Sequence, residues 1–301
     1  MKQKNVIWLD GKFVQSEKAQ INILSHALHY GSAVFEGIRA YSTPKGPAIF
    51  RLQDHIARLL GSASVFDMRV PYSKKVLEGA ACKVVALNAF ENCYVRPVIF
   101  YGEGDMALNP KKASLRVAIG AWPWGGYLDD TKPLSLGVSS YIRFHPKSIV
   151  PGAKIGGYYA TSILATREAH KHGFSEAILL DHEGYVSEGP GENVFIVKSG
   201  KLFTPDSPSI LPGITRATVM TIAKDLGIKA YAKKISLKEL MDADEVFLTG
   251  TATEVAFVGK VNSHRIGEGI PGPVERKIKS TYLDLVHGKL PRYNRWLTPV
   301  R

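Results

Sequence analysis

The sequence predicts an α+β protein of two domains, and three observations carry that prediction. Its 301 residues exceed what a single hydrophobic core usually organises. Strand-like and helix-like stretches come in runs and do not alternate strictly, which separates the chain from a parallel α/β sheet. Between Trp122 and Pro133 the chain reads WPWGGYLDDTKP, a crowd of aromatics, glycines and prolines that marks an interdomain linker. The expected division is a small N-terminal domain over 1–121, a linker over 122–133 and a larger domain over 134–301.

The elements follow in order. VIWLDGKFVQ holds two alternating apolar runs joined by Asp10-Gly11, a hairpin signal because a tight primed turn needs positive φ at its centre. QDHIARLLGSASVF places Ile56, Leu59, Leu60 and Ala63 at helical spacing. CYVRPVIFYG is strand-like, with Tyr94 and Arg96 on one face, and SLRVAIGAW is a second strand. Beyond the linker, LSLGVSSYIRF reads as a strand. Thr161 to His172 reads as a helix closed by Gly173. The stretch from Glu176 to Pro205 predicts a meander of short strands with glycine-containing turns. LPGITRATVMTIAKDLG sets Val219, Ile222, Ala223 and Leu226 on one helical face. Ser236 and Glu239 form a capping box before a strand, a polar turn and another strand. A basic amphipathic helix from about Pro273 to His287 completes the pattern.

Composition limits the function classes. Hydrophobic residues make up 45% and charged residues 22%, which suits a globular protein able to bury a core. No basic-then-apolar leader and no apolar run of about 18 residues is present, so a soluble, cytoplasmic protein without membrane partners is expected. Cys82 and Cys93 form no metal-type pattern and agree with a reducing compartment. The net charge of +12 invites a nucleic-acid reading. The basic residues are scattered without a binding motif, however, so no nucleic-acid partner is expected. The positive balance favours anionic substrates only as weak steering.

Four features of the second half look unlike packing. In VPGAKIGGYYAT, Lys154 sits among small residues, and an amine in a confined site becomes a Schiff-base former. A lysine beside glycines is otherwise an ordinary loop residue. In SEGPGEN, Glu188 and Asn193 flank glycines, and a hairpin turn explains the glycines but not the acid. In LPGITR, Gly213, Ile214 and Thr215 open a helix, so backbone N–H groups and a hydroxyl could hold a phosphate; a plain N-cap is the simpler alternative. TGTATE, Thr249 to Glu254, is a hydroxyl-rich turn able to supply further donors. Each signal is weak alone. Together they supply an amine for an aldehyde, a carboxylate for a ring nitrogen and a phosphate cradle, the needs of pyridoxal 5′-phosphate.

The segments EGPGENVF, LFT and LPGITR, with SHALHYGSAVFEGIRAY, FRLQDHIARL, YVRPVIF and PWGGYL in the first half, resemble the branched-chain amino acid aminotransferases. These belong to the class IV, D-amino acid transaminase-like pyridoxal-phosphate enzymes of fold type IV. The likeness runs from about Ile7 to beyond Gly259, and Pro190 departs from the usual small residue. It implies a two-domain α+β fold with a barrel-like sheet in the larger domain. It also implies ping-pong transfer of an amino group between L-leucine, L-isoleucine or L-valine and 2-oxoglutarate, within branched-chain amino-acid biosynthesis.

By the same resemblance, Lys154 is the catalytic residue, holding the cofactor as an internal aldimine and then shuttling the proton at substrate Cα. Glu188 pairs with the pyridine nitrogen and Tyr159 with the ring oxygen. Arg58, Ile214, Thr215 and Thr251 hold the phosphate, with Asn193, Leu211 and Gly213 also on the cofactor side. Phe35, Gly37, Tyr94, Trp124 and Tyr127 line the side-chain pocket, and Arg96 receives the distal carboxylate of glutamate, drawn in with Tyr30 or Arg39. Thr251 and Ala252 offer N–H groups to the α-carboxylate. A second subunit contributes the Tyr30 region, so a homo-oligomer is expected, a dimer or a dimer-based hexamer. Metal ligands are not implied. D-amino acid transaminase, (R)-amine transaminase and aminodeoxychorismate lyase are the rivals within the fold.

Overall fold

The structure is a computed structural model that describes residues 5–124 and 132–300. Its contacts divide into two compact units. The first is Met1–Gly125 with Ala153–Tyr158 and Leu285–Arg301, and the second is Gly126–Gly152 with Tyr159–Asp284. The segment carrying Lys154 therefore packs with the first unit, although its sequence neighbours on both sides belong to the second. Tyr127 and most of the 122–133 segment lie outside the described residues, whereas Trp122 and Pro123 belong to a strand.

The first unit carries strands β1 (Val6–Leu9), β2 (Lys12–Gln15), β3 (Ala33–Phe35), β4 (Ile38–Tyr41), β5 (Ala48–Phe50), β6 (Cys93–Tyr101) and β7 (Leu115–Pro123). Strand β17 (Leu297–Pro299) joins them, and the helices are α1 (His26–Tyr30), α2 (Leu52–Ser64) and α3 (Lys74–Leu87). The strands run β17-β5-β4-β6-β7-β1-β2, with β3 also on β6, and every pairing is antiparallel. The β1–β2 turn has the positive φ expected, 47° at Asp10 and 90° at Gly11. Leu52, Ile56, Leu59 and Ala63 of α2 are buried with Leu77, Ala81 and Val84 of α3 in one core that also takes in Ile155. Each large aliphatic side chain among them contributes about 1.5–3 kcal/mol of burial. The core fixes α2 on the sheet and leaves a second helical face, His55, Arg58 and Ser62, for polar work.

The second unit carries β8 (Leu134–Val138), β9 (Glu176–Leu180), β10 (Val186–Glu188), β11 (Asn193–Lys198), β12 (Lys201–Pro205), β13 (Ala230–Lys233), β14 (Glu245–Gly250), β15 (Glu254–Val261) and β16 (His264–Arg265). Its helices are α4 (Tyr159–Lys171), α5 (Ile214–Asp225), α6 (Leu237–Met241) and α7 (Pro273–Val286), whose last two residues belong to the first unit. The order is β10-β9-β8-β15-β14-β11-β12-β13, with β16 on β15. The strands from Glu176 to Pro205, expected as a meander, form two hairpins separated in the sheet by β8, β15 and β14. Helices α4 and α5 connect parallel neighbours, β8 to β9 and β12 to β13. The capping box at Ser236 is present in full, and Gly173 stops α4 with φ 77°.

The strand expected over LSLGVSSYIRF ends at Val138. Ser139 and Ser140 explain the early stop. Both hydroxyls and the Ser140 N–H donate to the Glu168 carboxylate on α4, so the chain leaves the ladder there. Arg143 consequently sits on an irregular segment, outside the alternation a strand would impose.

Candidate active site

The candidate residues of the first unit gather where β3 meets the Lys154 segment. The Phe35 N–H donates to the Lys154 carbonyl at 3.2 Å, and the Lys154 N–H donates to Ser62 Oγ at 2.9 Å. Val34 and Ile155 form a bridge. The segment beyond the lysine runs close against Gly31, which has a positive φ of 66° and where a Cβ would lie 2.8 Å from Gly157 Cα. Lys154 Nζ lies 5.0 Å from the centre of the Phe35 ring.

The same Phe35 ring receives Arg96, whose guanidinium carbon lies 4.7 Å above it, 5.3 Å from the Tyr94 ring and 5.7 Å from the Trp122 ring. Strand periodicity places Tyr94 and Arg96 on one face of β6, and pairing sets Tyr94 opposite Trp122. Trp124 packs on Tyr94 with ring centres 4.8 Å apart. Glycine is required at position 37, since a Cβ there would fall 1.8 Å from the Tyr94 hydroxyl. The result is a wall of aromatic faces with one cation laid across it. Arg39 pairs across the strands with Tyr94, and its guanidinium lies over Tyr41, 4.8 Å from the ring centre. Tyr30 stands on α1 against His26, 49% exposed.

Arg58 reaches from α2 to Glu36, a carboxylate with no exposure. Arg58 Nε donates to Oε1 at 2.6 Å and Nη2 to Oε2 at 3.0 Å, a two-point fork. His55 Nδ1 meets Oε2 at 2.7 Å. Burial would raise the Glu36 carboxyl, but Arg58 and His55 hold it at about 2. Burial pushes the His55 imidazole down despite the pull of Glu36, so Nδ1–H of a neutral ring donates to the carboxylate.

The second unit gathers its candidates around Glu188, 2% exposed at the end of β10. Arg143 binds its Oε1 through Nε at 2.7 Å and Nη2 at 2.5 Å. Burial would lower the Arg143 guanidinium, but the charge and hydrogen bonding of Glu188, with the charges of Tyr159 and Glu192, together outweigh it and the net shift is upward. Arg143 Nη1 also donates to Ser162 Oγ, which donates onward to the Pro190 carbonyl. On the other side, Asn193 Nδ2 and the Leu211 N–H each donate to Glu188 Oε2 at 3.1 Å. Asn193 in turn excludes any side chain at Gly213, where a Cβ would meet its Oδ1 at 1.9 Å.

Gly213 precedes α5 as an N-cap that makes no side-chain hydrogen bond. The first amides of a helix have no partner within it and attract anions. Thr215, 4% exposed, sits in that first turn. Thr251 and Ala252 lie in the tight turn from β14 to β15, where Gly250 pairs with Glu254. Thr253 of the same turn donates to Glu192 Oε1, and the Gly191 N–H donates to Oε2. Burial, then the charge of Glu176, pushes the Glu192 carboxyl up to about 7.

The structure thus brings Lys154, Phe35, Gly37, Tyr94, Arg96 and Trp124 together in one unit, and Glu188, Asn193, Leu211 and Gly213 in the other. Sequence reasoning missed Arg143, Glu36, His55 and Ser62. Arg143 was hidden inside an expected strand, and the other three carried no local signal. The residue types are those a phosphorylated pyridine aldehyde needs: in the first unit a lysine amine, and in the second a buried carboxylate and a helix start without a side-chain cap.

Comparison with known proteins gives a consistent result. Residues 33–261 match the family described as amino-transferase class IV. The branched-chain-amino-acid aminotransferase of Pseudomonas aeruginosa is 44% identical over 299 residues, 98% of this chain and 97% of that protein. The Escherichia coli K12 protein of the same name is 43% identical over 99% of this chain and 98% of its own length. The Thermobaculum terrenum branched-chain amino acid aminotransferase, whose crystal structure is of the PLP-bound holo form, superposes with TM-score 0.94 at 31% identity over the whole of both chains.

Proposed function

The chain belongs to the class IV aminotransferases, and from that premise we propose that it moves the amino group between L-leucine, L-isoleucine or L-valine and 2-oxoglutarate. The observation that carries the substrate reading is Arg96 laid across Phe35, Tyr94 and Trp122. An aliphatic side chain needs apolar walls, and the distal carboxylate of glutamate or 2-oxoglutarate needs a cation. A guanidinium stacked on aromatic faces serves both, because the rings stabilise it when no carboxylate is present.

Pyridoxal 5′-phosphate, when bound, supplies an aldehyde that carries amino groups and a ring that accepts the electrons released at substrate Cα. The chain's own residues do the rest. Lys154 Nζ holds the cofactor and then moves the proton at Cα. Glu188 holds the proton on the ring nitrogen, itself oriented by Arg143, Asn193 and the Leu211 N–H. Tyr159 donates to the ring oxygen. Arg58, the first amides of α5 at Ile214 and Thr215, and Thr251 hold the phosphate. Thr251 and Ala252 bind the α-carboxylate through backbone N–H groups, and the aromatic wall excludes water from the aliphatic side chain. The Tyr30 region acts in a second copy of the chain, which makes the working unit a homodimer or an assembly of dimers. Among the described residues no helix is long and apolar enough to cross a membrane, and a cytoplasmic location fits small soluble substrates.

The test is an absorbance titration of the purified protein with L-leucine and then 2-oxoglutarate. The long-wavelength band of the bound cofactor should fade with L-leucine and return with 2-oxoglutarate. A band unmoved by L-leucine would refute the substrate class.

A further inference from the structure

Helix α2 presents His55, Arg58 and Ser62 at spacings of three and four residues, so all three lie on one face. Each is engaged. Ser62 Oγ accepts the Lys154 N–H, Arg58 forks onto Glu36, and His55 holds the same carboxylate through Oε2. Glu36 is itself anchored by its backbone, whose N–H donates to the Pro97 carbonyl at 3.0 Å. A fully buried carboxylate paired with arginine is a poor stabiliser, since apolar replacements of such pairs often do as well. Stability alone does not account for the arrangement.

We propose that Glu36, oriented by His55, is a positioning residue that sets the Arg58 guanidinium for the phosphate of the cofactor. Long side chains lose rotamer freedom on binding, and an unrestrained Arg58 would lose it too. The two-point fork fixes both the rotamer and the plane beforehand. The Glu36 charge also opposes that of the incoming dianion, so orientation has to outweigh repulsion. The sign of one substitution therefore decides between them. The proposal rests on the reading of Arg58 as a phosphate-binding residue.

The experiment compares equilibrium affinities of the full chain, stripped of cofactor, for pyridoxal 5′-phosphate and for pyridoxal, which lacks the phosphate. Glu36→Gln should weaken the phosphorylated ligand by about 10-fold, the size of effect found when a ligand's orienting partner is removed, and leave pyridoxal unchanged. His55→Leu should act in the same direction, and His55→Gln, which keeps a donor, should recover. Thermal unfolding of each variant separates these effects from a loss of folding. Arg58→Gln is the reference and should narrow the preference for the phosphorylated form at least as much as Glu36→Gln does, the other phosphate donors keeping part of it. If it does not, the reading of Arg58 falls and the proposal with it. If Arg58→Gln narrows the preference while Glu36→Gln tightens the phosphorylated ligand or weakens both ligands equally, the positioning role alone is overturned. Should Glu36→Gln fail to fold, equal preference in His55→Leu, His55→Gln and the unaltered chain overturns it as well.

Discussion

Two buried arginine–glutamate pairs, one in each unit, are built alike, and the proposed function uses them in opposite senses. In the first unit Glu36 has no exposure and Arg58 retains 15%, and in the proposed function the acid is the support and the base the working charge. In the second unit Glu188 and Arg143 retain 3% and 12%, and the acid is also held by Asn193 and the Leu211 N–H. There the base is the support. The comparison teaches that a functional charge in a dry site is held by an opposite charge plus neutral donors, whichever sign the chemistry needs.

The strongest way to break the comparison is to remove the supporting base. Arg143→Ala leaves Glu188 buried without its cation and should cost about 3–5 kcal/mol in urea denaturation. Adding Glu188→Gln should recover much of that stability but not turnover. A single variant as stable as the unaltered chain would mean that Arg143 supports nothing.

Arg96 sharpens the contrast, because it is an arginine held by rings in place of an acid. Arg96→Met should lower kcat/KM for 2-oxoglutarate by about 30-fold, corresponding to the loss of about 2 kcal/mol from a desolvated charge pair. The half-reaction with L-leucine should change far less. Equal losses for both substrates would remove the dual role of the pocket.

The smallest effect concerns Glu275, 1% exposed, with no hydrogen bond to either side-chain oxygen. Burial, eased by Lys279 and reinforced by Glu245, pushes its carboxyl up to about 7 from 4.5. The folded state thus binds a proton more tightly than the unfolded one. Its contribution to stability is full below pH 4.5 and is lost as pH rises to about 7. Glu275→Gln should remove that slope and raise stability at about pH 8 by about 1 kcal/mol, seen as a higher Tm. An unchanged pH profile of Tm would contradict the assignment.

Sequence reasoning reached the parts of the fold with local causes. The Asp10-Gly11 turn, the Ser236 capping box and the apolar stripe of α2 are each written within a few residues. Helix α3 escaped it because alanines, Ala80 and Ala81, fill part of its buried stripe, which weakens the contrast between faces. The end of β8 depended on Glu168, 29 positions from Ser139. The candidate residues were accessible through their motifs, whereas their supports were not. Arg143 finds Glu188 across 45 positions and Arg58 finds Glu36 across 22, and no short window of sequence contains both partners.

The central claim is that Lys154, placed by Ser62 and Phe35, is the lysine that carries the cofactor. Borohydride reduction of the holoenzyme followed by peptide mass mapping tests it directly. The account predicts a phosphopyridoxyl label on Lys154 that L-leucine, added before reduction, removes. A label on another lysine, or none on a protein that transaminates, would contradict it.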